Sequence, residues 1–257
     1  MCTAIVSVGP AVLLAGIRDE FVARSWEPPA RHWPQYPGLV GGRDLTAGGT
    51  WLAVSPPARA ACVLNGRGAP APAASRRSRG LLPLQAAVGG KLVPGVAGFD
   101  PFHLLVAEPG RASLTSWDGE NLTERKLGPG LHMIVNSGLS GELLTDGAPG
   151  SPGRERELAR LAWFLPRLRA AARPVPRPGE PVGQAWGEWL PLLNGAGLPA
   201  QDPRALIVRH EFGDGRVWGT TSISLVALSP GEMRYDFTAR PGDPAAWQQI
   251  PLRLPTL

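Results

Sequence analysis

The chain has 257 residues, 43% of them apolar, a formal charge of +5 and only two cysteines, Cys2 and Cys62. That length allows one large domain or two small ones with a sizeable core, and two cysteines exclude a disulfide-stapled scaffold. No apolar run approaches the roughly 20 residues needed to span a bilayer, and the arginines are scattered. The densest basic run, SRRSRG at 75–80, has no aromatic neighbours on which bases could stack. It reads as a solvated loop, and no nucleic-acid partner is expected.

TAIVSV (3–8) reads as a buried strand, Gly9-Pro10 as a turn, and AVLLAGI (11–17) as a second strand, an N-terminal hairpin. No Lys or Arg precedes Arg18, so the positive leader of a signal peptide is missing. A cytoplasmic protein with its N-terminus near residue 1 is expected. Residues 26–49, rich in Trp, Pro and Gly, read as a loop. TWLAVS (50–55) and ARAACVLN (58–65) form a strand pair through Pro56-Pro57. Residues 66–80 read as a loop and 81–88 as a short helix.

FHLLVAE (102–108), ASLTSW (112–117), NLTERKL (121–127) and LHMIVNS (131–137) read as strands, with Asp118-Gly119 as a turn. Residues 153–172 carry apolar side chains at 158, 161, 164, 165 and 168, a helical spacing that Pro166 should kink or end. After the connector RPVPRPGEP, residues 182–193 are a second helix candidate. ALIVRHEF, RVWGTTSISLVAL and EMRYDFTA then read as three strands. Strands and helices are segregated, which argues an α+β fold.

Cys2 is the candidate for chemistry. If Met1 is removed, Cys2 carries a thiol and an α-amine whose ordinary pKa values, about 8.5 and 7.7–8.0, are closely matched. The amine can take the thiol proton and later return it, a nucleophile and base on one residue. Arg18 beside the thiol would favour thiolate and could hold a substrate carboxylate. Asp19 could accept from the α-ammonium and keep Arg18 in place. Asn65 and Asn136 are neutral donors suited to an oxyanion, although Asn65-Gly66 equally suits a turn and Asn136 a strand end. Cys62, in an apolar run, reads as a buried small hydrophobe. Gly48-Gly49 should let the backbone pass close to another segment, such as the hairpin, and Trp51 reads as core.

Register gives a sharper condition. Cys2 and Arg18 share a sheet face only if paired residue numbers in the hairpin have an even sum, 20 placing them directly opposite, because side chains alternate along a strand. A two-residue turn at Gly9-Pro10 would give 19, so a three-residue loop or a bulge is required.

MCTAIVSV, GIRDEF (16–21) and GGTWLAVS (48–55), followed in order by VLNGR (63–67), SRGLL (78–82), FHLLVAE (102–108), VNS (135–137) and GTTSIS (219–224), resemble the motifs of the NRDE family, also called the transport and Golgi organisation 2 family. The resemblance implies one domain over 1–257 with the four-layer α/β/β/α sandwich of the N-terminal nucleophile hydrolases. It implies a nucleophilic Cys2, with Arg18 and Asp19 beside it and Asn65 and Asn136 near oxyanion or amine-orienting positions. Two departures stand out. Ile17 replaces the Asn of the NRDE motif, and Thr221 replaces a late Arg. Two readings follow. One is a cysteine amidohydrolase acting on a small-molecule, non-peptide C–N bond. The other is a non-catalytic module that handles haem or a lipid. Neither calls for a metal or a resident cofactor, since the four His lack metal spacing. Haem would be cargo, with His32 or His210 as candidate axial ligands.

Overall fold

The computed structural model describes residues 2–90, 95–140 and 152–252. Within them two antiparallel sheets are stacked. The first is built on β1 (Thr3–Val8), β2 (Val12–Phe21), β10 (Gly130–Val135), β13 (Val217–Ser229) and β14 (Glu232–Thr238), in the order β10-β1-β2-β13-β14. Short strands β11 (Gly138–Leu139) and β15 (Gln248–Gln249) extend its two ends, and β12 (Arg209–Glu211) pairs with β13. The second sheet runs in sequence order from β3 (Trp26–Ala30) through β4 (Val40–Asp44), β5 (Leu52–Ser55), β6 (Arg59–Asn65), β7 (Phe102–Glu108) and β8 (Arg111–Trp117) to β9 (Leu122–Leu127).

The alternation of β1 and β2 sets the layers. Ala4, Val6 and Leu14 face the second sheet and pack with Leu52, Cys62, Leu64 and Leu105. Ile5, Leu13 and Ile17 face outward and are covered by α2 (Pro152–Ala170), α3 (Val182–Trp186) and α4 (Trp189–Leu193). On the far side, α1 (Leu81–Ala87) covers Ala53, Ala61 and Leu104 of the second sheet. The result is the expected α/β/β/α sandwich, held by burial of both faces of both sheets.

The hairpin pairs Thr3 with Ile17, Ile5 with Ala15 and Ser7 with Leu13, each pair summing to 20. The loop is therefore Gly9-Pro10-Ala11, and Cys2 extends the register opposite Arg18 on the face that looks into the sandwich.

Five local expectations are corrected. Residues 26–49 are not a loop throughout, because β3 and β4 add two strands there, β3 at the sheet edge and β4 inside it. A bulge between Glu27 and Ala30 lets Pro28 and Pro29 sit in an edge strand that needs few donors. Helix α2 runs through Pro166. The proline is on the solvent face, while Leu161, Phe164, Leu165 and Leu168 are buried on the sheet, so the carbonyl it leaves without a partner meets water. The second helix candidate is two short helices, broken at Gly187, which takes φ +46°. Of ALIVRHEF only Arg209–Glu211 is a strand. Near the site, Gly49 approaches Gly80 rather than the hairpin. A Cβ on Gly49 would lie 2.5 Å from the Gly80 carbonyl oxygen, which itself accepts from Thr50 N at 2.9 Å.

Candidate active site

One end of β1 and β2 opens onto a cavity of about 410 Å³ that reaches Cys2, Arg18, Asn65, Trp51 and the 76–80 loop. Cys2 is half-buried, and its thiol donates to the Asp19 carbonyl oxygen at 3.6 Å. Burial pushes this thiol up from its ordinary value, and the Asp19 carboxylate pushes the same way. The Arg18 guanidinium pulls it down more weakly. Arg18 thus favours the thiolate, as expected, but desolvation outweighs it and the net shift is upward.

Arg18 is 5% exposed. It donates from Nη1 to Thr221 Oγ1 at 2.8 Å, lies 3.6 Å from Asp44 Oδ2, and stacks 4.5 Å over the Trp51 ring. Asp44 in turn takes Arg24 through both oxygens at 2.6 and 3.2 Å. Arg18 is thus pinned by Asp44 and Thr221. Asp19, the next residue on the strand, directs its carboxylate to the helix face. There it accepts from Thr220 Oγ1 at 2.7 Å and lies 3.8 Å from Arg160 Nη1 on α2. Alternation explains why Asp19 is not what keeps Arg18 in place.

Thr221 occupies a bulge, since Thr220 pairs with Asp19 and Ser222 with Arg18. The extra residue turns its hydroxyl toward Arg18, where it accepts from the guanidinium and donates to the Arg18 carbonyl at 3.3 Å. Ile17 is 2% exposed, on the helix-covered face. The Asn-to-Ile departure therefore leaves the sandwich face of β2 untouched.

Asn65 ends β6, exposed at the cavity. It is not a hairpin corner, because Gly66 runs on against β7, donating from its N to the Pro101 carbonyl at 2.8 Å. Asn136 follows β10. Thr3 pairs with Val135, so Asn136 extends the register alongside Cys2. Its Oδ1 is buried with no hydrogen-bond partner among the described residues, and its backbone carbonyl meets His103 Nε2 at 3.2 Å. Cys62 is 4% exposed between the sheets, and burial pushes its thiol far up. His32 contacts the Pro28 carbonyl at 2.8 Å, and His210 packs against Phe212. Neither lies on this cavity, so its walls offer haem no imidazole among the described residues, and Cys2 is the one soft donor there.

Besides Asp44, two features were not legible in the sequence. The SRRSRG run is no solvated loop, since Arg76, Arg77 and Arg79 form a cavity wall. The loop is pinned by Gly80 on Thr50, by Arg77 N on the Gly98 carbonyl at 2.7 Å, and by Arg79 Nη1 on the Pro101 carbonyl at 2.9 Å. Arg160, the second, sits 1% exposed under the site and donates to Thr3 Oγ1 at 2.7 Å and the Ala205 carbonyl at 2.9 Å.

The sequence pattern of the family described as Transport and Golgi organisation 2 matches residues 1–146, more than half of the chain. This chain belongs to the transport and Golgi organisation 2 family. No curated protein sequence matches it significantly. Among solved structures it is similar to a penicillin V acylase from Agrobacterium tumefaciens, with TM-score 0.50 and 14% identity over 93% of this chain and 83% of that one. It is also similar to a C2A mutant of a conjugated bile acid hydrolase from Clostridium perfringens, with TM-score 0.49 and 12% identity over 97% and 92%. A Caenorhabditis elegans ortholog of N-acylethanolamine-hydrolyzing acid amidase gives TM-score 0.48 and 11% identity over 97% and 100%. At 14% identity the likeness to the penicillin V acylase is one of fold alone. No described helix is long and apolar enough to cross a membrane.

Proposed function

We propose that this family member is an amidohydrolase in which Cys2, freed of Met1, is the nucleophile and its own α-amine the base. The observation that most supports this reading is Asn136. Its buried Oδ1 lacks a donor, and it stands across the β1–β10 register from Cys2. An N–H of the Cys2 α-amine supplies the missing donor, which holds the amine beside the thiol with its lone pair free to act as base.

The steps balance on residues of the site. The α-amine takes the thiol proton as Sγ attacks the amide carbon. Asn65, a neutral amide on the cavity wall, donates to the oxyanion. The C–N bond then breaks, the ammonium proton passes to the leaving nitrogen, and a thioester remains on Cys2. Water, deprotonated by the same amine, attacks the thioester and releases a carboxylic acid and the thiol. A thiol pushed up by burial suits this route, because the proton leaves it during attack rather than before. Arg18 stiffens the pocket through Asp44, Thr221 and Trp51.

A second reading, a handling module for a lipid or haem without turnover, is favoured by one observation. Thr221 stands in place of a late Arg and is committed to Arg18. The two readings separate on a panel of N-acyl aminocoumarin amides offered to the mature protein and to Cys2→Ala. Fluorophore release lost in Cys2→Ala supports the hydrolase. Equal release by both proteins, or none, favours the handling module.

A further inference from the structure

The cavity wall opposite Cys2 carries more positive charge than its own carboxylates use. Asp44 is taken by Arg24 and Arg18. Asp100 is taken by Arg76 at 3.2 Å. Glu20 lies 3.8 Å from Arg24 and also accepts from Phe21 N, and Asp19 faces Thr220 and Arg160. Arg77 and Arg79 remain. Arg77 Nη2 donates to the Gly95 carbonyl at 2.6 Å and its guanidinium stacks 4.2 Å over Phe99. Arg79 donates to the Pro101 carbonyl. Neither forms an ion pair with a carboxylate among the described residues.

Both are half-buried, so each has lost part of its hydration. Burial pulls the Arg79 guanidinium down from its ordinary value, and the Asp100 carboxylate, a Cys2 thiolate and the Glu20 carboxylate oppose that shift in that order, all from beyond ion-pair distance. Both residues line the cavity, and a partly desolvated guanidinium there is suited to a planar anion, which it can take bidentately. The loop is also too firmly held to swing away. Gly80 packs against Gly49 with no room for a Cβ, and the Arg77 backbone bridges to Phe99 and bonds to Gly98.

We propose that Arg79 and Arg77 form an anion subsite facing Cys2, so that the ligand of this cavity carries a carboxylate, sulfonate or phosphate group. For the amide scission this inference rests on the function proposed above; for the anion it does not. It moves the anion-binding role from Arg18, which Asp44 and Thr221 already occupy, to the 76–80 loop. The substrate class is then an acyl amide with a compact negative group within reach of the scissile bond.

The test compares alkylation of Cys2 by iodoacetate and by iodoacetamide, which differ in charge but little in size, with rates read by peptide mass spectrometry. The readout is the iodoacetate-to-iodoacetamide rate ratio, normalised to that of free glutathione. A subsite raises the ratio on the order of tenfold at low salt, as a charged cleft concentrates counter-ions, and the gain shrinks as salt is added. Arg79→Gln should remove most of the gain. Arg79→Lys should keep it, and Arg240→Gln, on the exposed surface, should not change it. Should Arg79→Gln not fold, Arg77→Gln carries the same expectation. A ratio equal to that of glutathione and unmoved by either Gln variant would overturn the subsite, even if iodoacetamide labels Cys2 fast. Slow labelling by both reagents with a raised, Arg79-dependent ratio would uphold the subsite and count against the nucleophile. Absence of labelling by both would overturn the subsite as a feature facing Cys2.

Discussion

Arg160 on α2 lies 3.8 Å from Asp19 on β2, with side chains 1% and 0% exposed. The pair ties the helix layer to the strand that carries Arg18 on its other face. Removing one partner of a buried ion pair strands a charge and costs about 3–5 kcal/mol. Arg160→Met should destabilise the fold by about that much in urea unfolding, with the slope unchanged. Asp19→Asn with Arg160→Met should cost less than the two separate losses added together. A loss under about 1 kcal/mol for Arg160→Met would show that the pair is dispensable.

Cys2 should label with iodoacetamide faster than Cys62, because Cys2 opens onto the cavity whereas Cys62 is buried between the sheets. Since burial raises the Cys2 thiol, its labelling rate should climb with pH to a midpoint above the ordinary 8.5 or so of a free thiol. Arg18 lowers that midpoint, so Arg18→Gln should move it higher still. A downward move in Arg18→Gln, or preferential labelling of Cys62, would contradict the site.

Burial alone would raise the Asp44 carboxyl, but hydrogen bonds from Arg24 and Ala47 N outweigh it, and the net shift is downward. A carboxyl held low in the folded state contributes stability in full above its unfolded value, near 3.9, and that contribution is lost as pH falls through the folded value. The stability gap between wild type and Asp44→Asn should therefore be wide at pH 6 and narrow steadily below about pH 4. A gap independent of pH would refute the pairing.

Gly49→Ala should displace the 76–80 loop, because its Cβ would fall 2.5 Å from the Gly80 oxygen, which is backbone and has little room to yield. Overpacking of this kind costs about 1–3 kcal/mol. A shifted loop also carries Arg79 away from the cavity. Gly48→Ala meets nothing within 4 Å, but Gly48 takes φ +72°, so it should strain the turn and leave the loop in place. Crystal structures of the two variants decide between these outcomes.

The hairpin was legible because its constraint is arithmetic. One face had to hold Cys2 and Arg18 together, which needs an even sum, and the hairpin pairs with a sum of 20. The sandwich followed from segregated strands and helices. Asp44 was illegible because it lies in a segment whose Pro and Gly content masks two strands, and its partner Arg18 is 26 residues away. Arg79 was misread because a basic run between Pro and Gly looks solvated until its loop is seen pinned to Thr50, Gly98 and Pro101. Arg160 was hidden within a helix scanned only for its apolar stripe, where a buried cation disturbs no periodicity.

The central claim is that Cys2 is a terminal nucleophile. Its most direct test is intact-mass analysis of the purified protein before and after brief exposure to p-nitrophenyl acetate, with the adduct mapped by peptide sequencing. The account predicts a chain lacking Met1 that gains one acetyl group on Cys2, loses it again on standing, and gains none in Cys2→Ala. A chain that retains Met1, or an acetyl group carried elsewhere and equally in Cys2→Ala, would contradict it.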